Sequence, residues 1–462
     1  MNRKFEEFEY IINEMKHVYL HDQRPWMIGY SGGKDSTLLV QLVFEMVSRL
    51  EPEKIEKKIY IVTSDTMVEN PIVKKYMHTA SKQIGEVGKK YKIESHIIYP
   101  EVEKTFWSCV IGLGYPTPEA PNFRWCTDRL KIQPSNKFTT DIIDENGEVV
   151  ILLGVRKAES VYRANGIKNR EIEGKILIPH NYIQHAYVYN PLTEIPNEVV
   201  WEYLLKENSM SPWHSDNKYL FSLYQGEDLG EEQSVVGQVD HNKIKVTGNS
   251  RFGCWICTMV KEDKSLNNFI NHGSNELIPL RNFRNWLLKI RNDPVYRDHR
   301  RRNGSIYRKR GTGEKGLGAF KMSARVEILE RLLTLQKETG EELITIEELK
   351  YIDYIWDNEG DLNHRTLVDT YYKVYGEKLY WDAYKNPSFS EDVIEEIKKT
   401  CEEEDYSFEL LSKLIIAVDN NKLYSKGKKV EKAFNKVINQ GWLHFDRIEK
   451  TKKEINNETE KN

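Results

Sequence analysis

The chain is poor in cysteine, with five in 462 residues. That is too few to staple a fold, which excludes a disulfide scaffold and points to a reducing cytoplasm. Long apolar runs are missing too. The longest, about residues 149–155, falls far short of the roughly 20 residues a membrane-spanning helix needs, so no membrane role is expected. Met1 to Lys4 leads into an acidic stretch at 5–10, which is not a signal-peptide pattern. A charge of one sign is also absent: 68 basic residues face 71 acidic ones, for a net charge of −3. No global field therefore steers the chain toward nucleic acid or membrane. There is no internal repeat, and only the tail after about Glu449 has the composition of a disordered segment.

What is present centres on residues 26–40, WMIGYSGGKDSTLLV. Trp26, Met27 and Ile28 predict a buried strand. Leu38, Leu39, Leu42, Val43 and Met46 recur at helical spacing. Between them Gly32 and Gly33 permit positive φ and close approach to a ligand. Successive N–H groups in such a turn, with the helix N-terminus behind them, form an anion nest. Ser31, Ser36 and Thr37 add hydroxyls, and Lys34 adds a cation. The pattern is not a Walker A loop, because Asp35 follows the lysine. S-G-G-x-D-S instead resembles the pyrophosphate loop of the N-type ATP pyrophosphatases.

A second apolar strand at 58–63 ends in Ser64-Asp65-Thr66, a polar cluster where open α/β sheets bind ligands. A helix over 71–91 and a strand over 94–99 follow. The strand at 148–153 leads into Gly154, Arg156, Glu159 and Arg163, placed to meet a nucleotide across the sheet. This alternation predicts a doubly wound parallel sheet.

Cys254 and Cys257 form C-x-x-C, a half-site for zinc or an iron–sulfur cluster, or alternatively a redox or structural pair. Cys126 is the candidate third ligand. Arg124, Arg129 and Lys131 around it suit phosphate or sulfate, or a solvated helix face. Cys109 is expected in the core, and Cys401, on a charged helix, has no role. Residues 291–325 hold eleven Lys/Arg against three acids, which suits a phosphate backbone or a solvated loop. From about Val326 the pattern is helical, with Leu329, Leu332 and Leu333 on one face. The expected division is 1–210 for the nucleotide domain, 211–325 for a loop-rich cysteine-containing and basic region, and 326–462 for a helical C-terminal region.

Five motifs together resemble the phosphoadenosine-phosphosulfate reductase superfamily of ATP pyrophosphatases: SGGKDST at 31–37, SDTMVENP at 64–71, FRWCTDRLK at 123–131, GVRKAES at 154–160 and GNSRFGCWICT at 248–258. The third and last are most similar to the DndC-like sulfurtransferases of DNA phosphorothioation systems, which serve bacterial defence. The resemblance runs over about residues 26–356. It implies an adenine nucleotide α-hydrolase-like fold and cleavage of ATP, bound with Mg²⁺, to AMP and pyrophosphate. It also implies a 4Fe-4S cluster, adenylation of the DNA backbone, and sulfur supplied by a cysteine desulfurase within a modification complex.

By matching motif, the nucleotide site is Ser31, Gly32, Gly33, Lys34, Asp35, Ser36 and Thr37 with Asp65, Arg156 and Arg163. Lys34 and Asp35 are the catalytic candidates, with Asp35 either positioning the metal or fixing the loop. The metal ligands are Cys126, Cys254 and Cys257. The chain departs from the family pattern in having no cysteine between Cys126 and Cys254. Three thiolates do not complete a four-cysteine site. An open iron, a His or carboxylate ligand, zinc, and a vestigial site all remain open, as do two other functions. One is another reaction of the superfamily, either tRNA thiolation or reduction of activated sulfate. The other is a regulatory or scaffold subunit without sulfur chemistry.

Overall fold

The strand-forming runs near residues 26–28, 59–62 and 149–152 have no polar face, so each must be covered on both sides. In the computed structural model they form the middle of one six-stranded sheet. The structure describes residues 3–120, 123–159, 175–206, 209–224, 252–301, 304–306, 308, 313–385, 389–420 and 427–439. Arg163, the expected tail after Glu449 and residues 248–251 of the cysteine motif lie outside the described residues.

The chain divides into two compact units: Met1–Lys104 with Pro118–Arg284, and Thr105–Thr117 with Asn285–Asn462. The first holds the sheet. Its strands are β1 Trp26–Gly29, β2 Ile59–Ser64, β3 Ile93–Ile98, β4 Val149–Leu152, β5 Ile178–Pro179 and β6 Ala186–Tyr189. Their order is β3-β2-β1-β4-β6-β5. All neighbours are parallel except β5 and β6. Helices α1 Arg3–His21, α2 Lys34–Ser48, α3 Pro71–Gly88 and α4 Gln133–Asn146 belong to the same unit. The doubly wound parallel sheet expected from the alternation is therefore present.

Burial explains why these elements sit where they do. Met27, Tyr60, Val62, Val149 and Ile151 pack with Ile142 of α4 in one apolar cluster. By strand alternation Trp26 and Ile28 face the other side, fully buried. On α2, Leu38, Leu39, Leu42 and Val43 are all at 0% exposure. Burial of each contributes roughly 1.5–3 kcal/mol, which anchors the helix whose first turn follows the glycines. Asn70 caps α3 by accepting from the Ile72 N–H at 3.0 Å, with Pro71 at the first helical position.

The order places β2 on one side of β1 and β4 on the other, so the chain reverses direction across the sheet at β1. That is the switch point where open α/β sheets bind ligands beyond their carboxyl ends. Several elements escape the sequence reading, among them β5, β6 and the helices Lys264–Asn271 and Ile278–Ile290. β5, at two residues, is too short to show a period. Helix α6, Asn217–Tyr224, lies in a region read as loops and turns, and follows α5, Asn197–Leu204.

The second unit is helical, including α7 Met322–Thr339 and α8 Ile346–Glu359, as expected for the C-terminal region. A capping box between Thr345 and Glu348 starts α8. A buried π-helical turn, Ser108–Gly112, packs here. Such a turn leaves carbonyls outside the regular ladder. Ile111 O accepts from Arg325 Nε at 2.8 Å and from Trp356 Nε1 at 3.0 Å, and Gly112 O accepts from Arg325. Cys109 is in the core, as expected, and Cys401 is also buried.

Much of the basic stretch is engaged internally. Arg297 is buried and donates to the carbonyls of Gly318, Leu317 and Arg291. Arg300 pairs with Asp298 at 2.6 Å and with Glu409 at 2.5 Å. Arg302, Tyr307, Lys309 and Arg310 lie outside the described residues. Among the described residues no helix is long and apolar enough to cross a membrane.

Candidate functional site

The turn from β1 into α2 is built as its sequence requires. Gly32 takes φ +71°, and a Cβ there would stand 2.7 Å from Met77 Cγ. Ser36 Oγ donates to Gly33 O at 2.9 Å, accepts from the Ser31 N–H at 3.2 Å, and lies 3.2 Å from Ser31 Oγ. The serines thus hold the turn's shape. Thr37 is fully buried beneath it. Burial pushes the neighbouring Tyr30 phenol up to about 12.

Across the switch point, the end of β4 closes on this turn. A Cβ on Gly154 would lie 2.8 Å from Asp35 O, so only glycine permits the approach. Arg156 is 1% exposed. Its Nε donates to Asp35 Oδ1 at 2.7 Å, and its other nitrogens donate to Ile195 O at 3.0 Å and Asn197 Oδ1 at 3.1 Å. Lys34 Nζ lies 3.2 Å from Asp35 Oδ2. Asp35 is therefore held from both sides and fixes the loop in this structure. Helix α6 adds a residue the sequence reading missed. The Tyr224 hydroxyl accepts the Lys34 N–H at 3.2 Å, and its ring lies 5.4 Å from Lys34 Nζ. The signal was Leu220, Phe221 and Tyr224 at helical spacing.

Asp65 sits at the end of β2 with no exposed surface. One carboxylate oxygen accepts the Met67 N–H at 2.7 Å and the other lies 2.7 Å from His78 Nε2. Met67 is held at φ +65°, an uncommon conformation for a side chain of its size. Both oxygens of Asp65 are engaged within the protein, and His78 is the partner the sequence reading missed.

The same segment then reaches the cysteines. Glu69 pairs with Cys254 in an antiparallel bridge, and the Trp255 N–H donates to Val68 O at 3.1 Å. Thr66 Oγ1 donates to Glu69 Oε1 at 2.9 Å and lies 3.5 Å from Cys254 Sγ. Lys131 Nζ, on a half-exposed side chain, is 3.5 Å from Glu69 Oε1. The C-x-x-C turn closes through the Cys257 N–H on Cys254 O at 3.0 Å. The fully buried Arg284 braces it by donating to the carbonyls of Cys257, Lys261 and Val260.

Cys126, Cys254 and Cys257 each keep part of their surface. Desolvation pushes the Cys254 thiol far up, Glu69 adds to this, and Lys131 partly offsets it. Desolvation also raises Cys126, with the Cys257 charge behind it. The Glu69 charge raises Lys131, and Cys254 and Cys126 add to it. The structure thus joins Cys254 and Cys257 in one turn and sets Cys254 beside Glu69 and Thr66; all three cysteines belong to the first unit.

Thiolates are soft donors taken by both iron–sulfur clusters and zinc. As they stand, no three His, Cys, Asp or Glu side chains among the described residues are grouped to hold a metal ion. The donor chemistry still fits an iron–sulfur centre. Cys254 and Cys257 share one turn, with the Glu69 carboxylate beside Cys254 and the Lys131 ammonium 3.5 Å from that carboxylate.

Residues 25–260 match the family model for the phosphoadenosine phosphosulfate reductase domain. An uncharacterized protein of Methanocaldococcus jannaschii is 27% identical over 248 residues, or 53% of this chain. The chain spans only 38% of that relative's length. Two solved structures share a remote likeness. The U34-tRNA thiolase NcsA from Methanococcus maripaludis, with its [4Fe-4S] cluster, has a TM-score of 0.27 and 17% identity, over 47% of this chain and 73% of that one. Candida glabrata FMN adenylyltransferase, in complex with FAD and inorganic pyrophosphate, has a TM-score of 0.31 and 12% identity, over 59% and 85%.

Proposed function

The chain belongs to the phosphoadenosine phosphosulfate reductase domain family, and from that premise we propose that it is an ATP pyrophosphatase coupled to sulfur transfer. One observation carries the reading: in a single unit, a phosphate-type turn sits at the sheet's switch point and the C-x-x-C turn of Cys254 and Cys257 adjoins the next strand end.

In this reading ATP lies across the carboxyl ends of β1 and β4. The N–H groups of residues 31–34 and the start of α2 hold the departing pyrophosphate. Lys34 stabilises charge developing on it, and Arg156 keeps Asp35 and the loop in place. A divalent ion, when bound, supplies Lewis acidity at the phosphates. Cys126, Cys254 and Cys257 would hold an iron–sulfur cluster, which supplies a site for sulfur chemistry when bound.

The substrate we propose is the DNA backbone, on the strength of the motif resemblance to DndC-like proteins. A phosphodiester oxygen attacks the α-phosphorus of ATP, the bond to the β-phosphate breaks, and pyrophosphate leaves. Hydrosulfide, released when a thiol reductant cleaves the persulfide of a cysteine desulfurase and is itself oxidised to a disulfide, then displaces AMP to leave a phosphorothioate, its proton passing to water.

Purified protein incubated with ATP, Mg²⁺, duplex DNA and sulfide should release equal AMP and pyrophosphate, and Lys34→Ala should abolish the release. Hydrolysis of the DNA from cells carrying the complete system should yield phosphorothioate-linked dinucleotides. Pyrophosphate release without them would remove DNA as substrate and leave the coarser activity. ATP turnover with no bound iron or zinc would favour a regulatory or scaffold subunit.

A further inference from the structure

The phosphate-type turn and the C-x-x-C segment belong to one unit, and one side chain touches both. Tyr224, the last residue of α6, is buried. Its hydroxyl accepts the Lys34 N–H at 3.2 Å. A Cβ on Gly33 would stand 3.0 Å from the same oxygen. The hydroxyl therefore fills the space over the Gly33–Lys34 backbone, where a phosphate oxygen would sit. The ring of Tyr224 also packs on Phe252, with 4.8 Å between centroids. Phe252 stands two residues before Cys254.

Lys34 opens α2, so its N–H has no acceptor within the helix. A phosphate oxygen at that donor must take the place of the tyrosine hydroxyl. A phenol oxygen is rigid with its ring, so it leaves only if the ring moves. The ring meets Trp201 at 5.2 Å and Phe252 at 4.8 Å. Trp201 is fully buried, whereas Phe252 is half-buried. A close-packed interior yields little, so the displacement is taken up at Phe252. From Phe252 the backbone runs through Gly253 to Cys254, which pairs with Glu69, and on to the Cys257 N–H that closes the turn.

We propose that Tyr224 is a positioning residue that couples the two turns: a pyrophosphate group at the first displaces its ring against Phe252 and loosens the C-x-x-C segment. The inference rests on the reading that the turn after β1 takes pyrophosphate. Without nucleotide, the Tyr224 hydroxyl occupies the Lys34 N–H and the ring braces Phe252. With nucleotide, the brace is withdrawn and the cysteine turn opens. The cysteines then open to a sulfur donor only once the nucleotide is in place, which orders the two half-reactions. Such a coupling acts equally in both directions, so a change at Phe252 alters affinity at a turn it does not touch.

The experiment uses the full chain, purified without oxygen, as wild type, Tyr224→Phe and Phe252→Ala, each checked for folding by thermal melting. The probe is inorganic pyrophosphate with Mg²⁺. Binding is read by calorimetry, and the C-x-x-C segment by hydrogen exchange of the peptide covering residues 252–258. In wild type, saturating pyrophosphate should speed that exchange severalfold. Tyr224→Phe should bind pyrophosphate about fivefold more tightly, the worth of one hydrogen bond, and the exchange should no longer respond. Phe252→Ala should also bind more tightly, because the ring that holds Tyr224 on the turn is gone. A wild type that binds no pyrophosphate overturns the reading of the turn and this inference with it. A wild type that binds it with no change at 252–258 overturns this inference alone. So does a folded Tyr224→Phe that responds as wild type does, or a folded Phe252→Ala of unchanged affinity.

Discussion

At the scale of single residues, the site depends on two glycines and one arginine. Gly154 lets backbone meet backbone at Asp35, with 2.8 Å between its would-be Cβ and Asp35 O. No flexible side chain is available there to yield. Gly154→Ala should cost about 1–3 kcal/mol and displace the loop, so urea unfolding and ATP binding should weaken together. Gly32→Ala should be milder, because the atom it meets is on the side chain of Met77, although its φ of +71° adds roughly 1–2 kcal/mol. Arg156 is buried with three acceptors. Arg156→Ala leaves Asp35 with Lys34 alone and takes the donor from Ile195 O and Asn197 Oδ1, and loss of a charged hydrogen-bond donor of this kind costs about 1.5–3 kcal/mol. Lysine at 156 has one nitrogen for three acceptors and should rescue little of the loss in urea midpoint.

At the scale of elements, α6 and the segment joining β2 to α3 shape the two halves of the site. The Tyr224 hydroxyl at the end of α6 occupies the Lys34 N–H, one of the groups a phosphate would use. Removing that hydroxyl frees the donor. Because a net hydrogen bond is worth about 1 kcal/mol, Tyr224→Phe should tighten binding of α,β-methylene-ATP severalfold by calorimetry. An unchanged Kd would mean that the phosphates do not reach the Lys34 N–H. The joining segment is single-stranded in character but fully employed: Asp65 holds His78, Thr66 and Glu69 meet Cys254, and Asn70 caps α3. The motif SDTMVENP stood out in the sequence as a ligand-binding strand end. Its reach toward the cysteines did not, because partners far along the chain leave no local pattern.

At the scale of the molecule, stability carries a pH signature from one buried lysine. Lys57 is 8% exposed, donates to Asp22 O at 2.6 Å and lies against the rings of Tyr19 and Trp26. Burial pulls its ammonium down to about 8, against about 10.4 in an unfolded chain. Between those values the unfolded state holds the extra proton, so stability rises with pH across that window. The slope should reach at most about 1.4 kcal/mol per pH unit. Denaturant midpoints from pH 7.5 to 10 should show the rise in wild type and lose that contribution in Lys57→Met.

The sequence by itself determined the turn, the strand-end placement of its ligands and the parallel sheet. Each follows from local rules: glycine's freedom, apolar periodicity, and the need to cover a strand that has no polar face. Only the tertiary structure decided what those residues touch. Asp35 meets Arg156 across 121 positions, Lys34 meets Tyr224 across 190, and Thr66 meets Cys254 across 188. Such pairings form when the sheet closes and distant loops arrive at one edge, and no local composition records which loops those are. The same reason hid Glu69, which in the chain is one acid among many and in the fold is the carboxylate bridged to Cys254.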